Sequence, residues 1–135
     1  MRPAAFLIIA AAAATCASSA VSEPRTAKAE AELAKALAGK VAGAPVHCLP
    51  PQRTNGMTII DDNTILFRRN SNLLYRNDPP GGCSPLSRGR FALVTKTPGS
   101  SLCQGDIAQI VDTVSRLPAG ACALGEFVPY RTVRH

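Results

Sequence analysis

The cysteine pattern limits what this chain can become more than any other feature. Cys16 sits in a leader-like segment, whereas Cys48, Cys83, Cys103 and Cys122 lie downstream of it. An even set of four in an exported chain reads as a disulfide framework. Two of the four fall within Leu102 to Tyr130 (LCQGDIAQIVDTVSRLPAGACALGEFVPY), which also holds the longest β-branched run and the aromatic pair Phe127 and Tyr130. That stretch is therefore the closing half of a small stapled domain. Sequence alone leaves three connectivities open. Spacing favours Cys83–Cys103 and Cys48–Cys122. The expected strand Phe91 to Lys96 would let the chain return between the first pair, and the second pair would tie the domain's first edge to its last. The domain's aromatic residues are Phe67, Tyr75, Phe91, Phe127 and Tyr130. A core that small calls for staples.

The framework fits an exported protein. Residues 1–20 have the pattern of a secretory signal peptide: Arg2, an apolar run from Ala4 to Ala14, and Ser18-Ser19-Ala20 as a small-residue cleavage site before Val21. The apolar run is too short to span a bilayer, which needs about 20 residues, so no transmembrane segment is expected in the mature chain. Cys16 raises the alternative of an outer-membrane lipoprotein. Ala13 and Thr15 fit a lipidation motif poorly, so ordinary cleavage is the expectation.

Residues 21–47 read as a helical leader and linker. The run AKAEAELAKALAGK is rich in strong helix formers. Thr26 or Ser22 can cap its start, Gly39 suits the position just past its end, and Glu32 and Lys35 stand at (i, i+3). Leu33 and Leu37 form its only apolar stripe, which predicts a weakly docked spacer. Val41 to Val46, with Gly43 and Pro45, reads as linker.

From Cys48 to Thr132 the texture is that of a stapled β domain. Met57 to Ile60 and Thr64 to Arg68 flank the turn Asp61-Asp62-Asn63, and Leu73 to Arg76 follows as a further strand. Asn77 to Gly82 is irregular, Phe91 to Lys96 is a strand, and Thr97 to Ser100 is a turn. Ile107 to Val114 fits both a helical period and a strand composition. The strand reading agrees better with its neighbours. Leu117 to Gly120 reads as a turn into Ala121 to Leu124, Gly125 as a bend, and Phe127 to Thr132 as the closing strand. The expected fold is mainly β, a small antiparallel barrel or sandwich with two disulfides, preceded by a short helix.

Several of these residues carry a family resemblance. They are Cys48, Ile60-Asp61 with Ile65 and Phe67, Tyr75-Arg76-Asn77, Gly82-Cys83, Leu102-Cys103 with Gly105-Asp106, and the ending Gly120-x-Cys122-x-Leu124-Gly125-x-Phe127-Val128-Pro129-Tyr130. In these the chain resembles a family of small exported, disulfide-bearing proteins of Gram-negative bacteria, mostly alphaproteobacteria, with no assigned function. The resemblance spans about residues 33 to 131. It implies export and a β domain, and it supplies no catalytic residue.

Chemistry-bearing residues are sparse. His47 and Cys48 are adjacent, whereas metal ligands stand further apart, and Cys48 is needed to keep the cysteine count even. His135 ends the chain. The carboxylates Asp61, Asp62, Asp106, Asp112 and Glu126 are the candidates for acid/base work. Asp61, Asp62 and Asp106 sit in turn chemistry, and strand alternation places Asp112 on the solvent face. Gly81-Gly82 lacks the Lys-Ser/Thr of a phosphate loop. No catalytic residue, metal site or cofactor is therefore assigned.

The chain carries a formal net charge of +6, and loss of Arg2 with the leader lowers it to +5. Its cations are scattered and Trp is absent, which argues against nucleic acid as a partner. An envelope protein or an anionic envelope polymer fits better. The expected function is that of a periplasmic or secreted, non-enzymatic binding or structural module. Two rivals are a small inhibitor of a secreted hydrolase, acting through the loop Arg76 to Arg90, and a carboxylate-dependent hydrolase.

Overall fold

The computed structural model describes residues 24–50, 56–97 and 99–134. The expected leader, Cys16, the expected cleavage site and His135 lie outside the described residues, as does Pro98 within the expected turn.

Helix α1 spans Ala27–Leu37. Thr26 caps it, its hydroxyl accepting from the Ala29 amide at 3.2 Å. Gly39 takes a positive φ of 69° just past the end, where glycine carries no Cβ penalty. Eight strands follow among the described residues: β1 Lys40–Ala42, β2 Met57–Asp61, β3 Thr64–Asn70, β4 Leu73–Asn77, β5 Phe91–Thr95, β6 Ile107–Asp112, β7 Pro118–Ala123 and β8 Phe127–Thr132. They form a five-stranded sheet in the order β1-β8-β4-β3-β2 and a three-stranded sheet in the order β5-β6-β7, all paired antiparallel. The fold is thus mainly β, and the two sheets pack as a sandwich. Ile107–Asp112 is a strand, as its composition indicated.

The larger sheet presents a different residue set on each face, as a two-residue period requires. Ile65, Phe67, Leu73, Tyr75 and Phe127 face the smaller sheet. They form the main core with Ala108, Ile110 and Cys122 from that sheet and with Leu49, Cys83, Leu86 and Leu124 from connecting segments. Phe67 and Phe127 meet edge to face with ring centroids 5.6 Å apart. On the opposite face, Ile60, Leu66 and Leu74 are buried beneath Ala29 and Leu33 of α1. Asn77, fully buried in β4, donates to the Gly125 carbonyl at 2.7 Å and accepts from the Gly125 amide at 2.9 Å. A Cβ at Gly125 would lie 2.5 Å from the Asp78 carbonyl oxygen, so the bend before β8 admits no larger residue without a shift.

Four expectations are corrected. The disulfides are Cys48–Cys103 and Cys83–Cys122, not Cys83–Cys103 and Cys48–Cys122. The segments around Cys48 and Cys103 run antiparallel. The Leu49 amide donates to the Leu102 carbonyl and the Gln104 amide to the His47 carbonyl, so the two cysteines stand directly opposite. Cys83 is held over β7, because its amide donates to Asp62 O at 2.6 Å and its neighbour Ser84 lies against Gly120. Cys122 is therefore the cysteine within its reach. The expected linker Val41 to Val46 contains most of β1, and Val46 forms a bridge with Phe127. The helix is not a loose spacer, since Leu33 is 4% exposed and Ala29 5%. Finally, the expected turn Leu117 to Gly120 is mostly strand, because β7 begins at Pro118 on the edge of its sheet, where proline's missing N–H breaks no ladder.

Candidate functional site

The candidate carboxylates occupy structural positions. Asp61 accepts from Arg25 Nε at 2.7 Å and from the Asn63 amide at 2.8 Å, so it closes the β2–β3 turn and ties it to the start of α1. This pairing raises the pKa of Arg25 and keeps its guanidinium charged. Asp62 accepts from the Ser87 amide at 2.7 Å and holds the Cys83 loop in place. Asp106 accepts from the Cys103 amide at 2.7 Å. Glu126 is exposed.

Asp112 departs from expectation. The inward side of β6 carries Ala108, Ile110 and Asp112, and Asp112 is buried rather than on the solvent face. The reason is its turn. Asp112 Oδ1 accepts from the Val114 and Ser115 amides at 2.8 and 3.1 Å, and Oδ2 pairs with the Arg90 guanidinium. The Arg90 hydrogen bond, then the backbone donors, hold its carboxyl below the usual aspartate range.

His47 faces Gln104, its Nδ1 lying 3.0 Å from the amide oxygen, while Cys48 is consumed in a disulfide. Among the described residues no group of three or more His, Cys, Asp and Glu side chains could hold a metal ion. Asp61, Asp62 and Asp78 do line one shallow basin together with Arg25 and Arg76. There Arg76 Nε pairs with Asp78 at 2.8 Å and Thr64 donates to Asp78 at 2.7 Å. The carboxylates of that basin are bound to donors that fix loops. The loop Arg76 to Arg90 is likewise pinned, with Cys83 and Leu86 each 1% exposed.

A second concavity differs in kind. Helix α1 is only 11 residues long, so it roofs part of the outer face of the larger sheet. Beside its C-terminal half an open groove of about 440 Å³ remains. Ile60, Leu66 and Leu74, left only 3–7% exposed beneath α1, lie at its base, and Thr58, Asn70 and Ser71 border it. Strand register builds this surface: Leu66 stands opposite Thr58, and Leu74 opposite Arg68. Arg68 follows Leu66 on the same face, so a cation stands beside that base. Across the groove, α1 supplies Glu32, Lys35 and Ala36, and β1 supplies Lys40. Glu32 lies 4.0 Å from Lys28, so the (i, i+3) pairing with Lys35 is replaced by one at (i, i+4). Among the described residues Lys35, Lys40 and Arg68 form no ion pair. The groove therefore has a cationic rim over residues that α1 already covers. Sequence reading missed it because its residues come from five elements, α1, β1, β2, β3 and β4. The usable signal was the alternation Leu66-x-Arg68 in one strand.

No family model, no curated protein and no solved structure matches this chain. Among the described residues no helix is long and apolar enough to cross a membrane.

Proposed function

We propose that this chain is an exported, non-enzymatic binding module of the bacterial envelope whose partner is an anionic envelope surface. The observation that carries this reading is the groove beside α1, where Lys35, Lys40 and Arg68 stand around one concavity without an ion pair among the described residues. Cations in a partly apolar setting attract an anion more strongly than cations in open water. The carboxylates that a hydrolase would need are by contrast hydrogen-bonded to backbone amides and arginines that fix turns. The two disulfides suit an oxidising compartment outside the cytosol.

Co-sedimentation of the mature chain with vesicles tests this. Binding to phosphatidylglycerol vesicles and not to phosphatidylcholine vesicles is expected, weakening as salt rises. The double variant Lys35→Glu/Arg68→Glu should lose more binding than Lys96→Glu/Arg116→Glu, which carries the same net charge. Equal losses would show that overall charge, not the groove, attracts the membrane.

A further inference from the structure

We infer that the free edge of β5 is a docking site for an extended, acidic segment of a partner protein, added as a fourth strand to the smaller sheet. This goes beyond the envelope-surface reading, because it rests on another part of the molecule and on main-chain groups. The ladder shows which groups are free. The Thr113 amide donates to the Arg90 carbonyl and the Asp112 amide to the Leu117 carbonyl, so successive residues of β6 bond alternately toward β5 and β7. Antiparallel alternation therefore turns the amides and carbonyls of Ala92 and Val94 toward β6, and those of Phe91, Leu93 and Thr95 away from it. Among the described residues no backbone group bonds to these three on that outer side. The other sheet edges are blunted. Strand β1 has three residues, the β2 ladder contains a register shift, and β7 combines a shift with Pro118. Strand β5 pairs over five residues without a shift, so its outer edge can template a further strand.

Charge selects the occupant. From Ser84 to Thr97 the chain carries Arg88, Arg90 and Lys96 and no carboxylate. Arg90 is engaged by Asp112, whereas Arg88 and Lys96 form no ion pair among the described residues. A second copy of this chain fits poorly. The two-fold register that uses all three free residues centres on Leu93, and it sets Arg90 opposite the copy's Lys96 at both ends, where like charges repel. A strand with a carboxylate at each end replaces that repulsion with attraction. Its apolar residues, at every second position, would meet Phe91 and Leu93, which are only partly buried against the main core.

The test is a nuclear magnetic resonance titration of the mature chain with the end-blocked peptide Glu-Val-Thr-Val-Thr-Val-Glu, which matches that register. One peptide per chain is expected, with the amides of Phe91, Leu93 and Thr95 shifting most and gaining protection from exchange. The same peptide with lysine in place of glutamate should bind at least about tenfold more weakly. N-methylation of its three valines, which removes their donors and keeps the charge, should abolish binding. Thr95→Pro removes a donor of the free edge and spares the ladder with β6, so it should weaken binding about tenfold. Equal binding of the lysine peptide, undiminished binding of the N-methylated one, or no binding would overturn the proposal. So would shifts centred on Lys35, Lys40 and Arg68, which would place the peptide in the groove. A chain already dimeric, with the β5 amides protected before peptide is added, would give the edge to a second copy and overturn it as well. Should Thr95→Pro fail to fold, the N-methylated peptide still decides.

Discussion

The five-stranded sheet is packed on both faces, by the main core on one side and by α1 on the other, whereas the three-stranded sheet is packed on one. The outer face of the smaller sheet carries Ala92, Val94, Ile107, Gln109, Val111 and Ala121, of which Ile107 is 57% exposed. The sheets also differ in their place along the chain. Strands β4 and β8 pair directly, so the segment from Asp78 to Glu126 that builds the smaller sheet is an insert between two neighbouring strands of the larger one. Among the described residues no ladder joins the sheets. Side-chain packing does, together with Cys48–Cys103, which links the segment before β2 to the approach to β6; Cys83–Cys122 lies within the insert and ties β7 to the loop whose Cys83 amide is held by Asp62. A sheet sandwiched between two layers carries its own stability, whereas a one-sided insert depends on what ties it down.

The largest expected effect comes from the ties. The disulfides close loops of 55 and 39 residues, and chain entropy assigns each about 4 kcal/mol before native strain. Cys83→Ala/Cys122→Ala should lower stability in urea unfolding by roughly that amount. A loss below about 1 kcal/mol would mean that packing and Cys48–Cys103 hold the insert without the second bridge. Peptide mapping without reductant should recover Cys48 with Cys103 and Cys83 with Cys122.

Within the insert, two isoleucines of one strand sharpen the contrast. Ile110→Ala, at 0% exposure, should cost about 2–5 kcal/mol. Ile107→Ala, on the open face, should stay within about 0.5 kcal/mol. Between these, on the far side of the larger sheet, Leu33→Ala should cost about 2–3 kcal/mol, because it uncovers Ile60, Leu66 and Leu74. The small apolar stripe of the helix implied that removing residues 21–40 would cost no more than about 1–2 kcal/mol. The observed burial of Leu33 and Ala29 raises that expectation.

The smallest effect is electrostatic and belongs to the insert. The Asp112 carboxyl titrates below its ordinary 3.8 in the folded chain, so the unfolded chain binds the proton more readily. The stability it contributes is complete above that value and is lost as pH falls through the lower folded one. Melting temperatures from pH 5 down to pH 2 should therefore fall more steeply for the native chain than for Asp112→Asn. Parallel curves would remove Asp112 from the acid response.

Strands and turns were legible because their signals are local. Asp61-Asp62-Asn63 between two alternating runs specifies a hairpin without reference to the rest of the chain, and β2, β3 and β4 lie where the pattern placed them. The disulfide pairing was not legible, since it depends on which segment lies over Gly120 and which runs antiparallel to Cys48. Asp112 was misplaced because alternation says nothing of a carboxylate turning inward to bind its own turn and Arg90. The candidate groove was illegible for a related reason. It exists only where a helix too short for its sheet leaves part of the outer face unroofed.

Native-state hydrogen exchange in reductant measures the dependence of the insert on its ties most directly. Once the disulfides are reduced, amides of β5, β6 and β7 should lose protection first and furthest, while β3, β4 and β8, with α1 still docked, retain more of theirs. Loss of protection in both sheets together, or unchanged protection in the smaller one, would contradict the account.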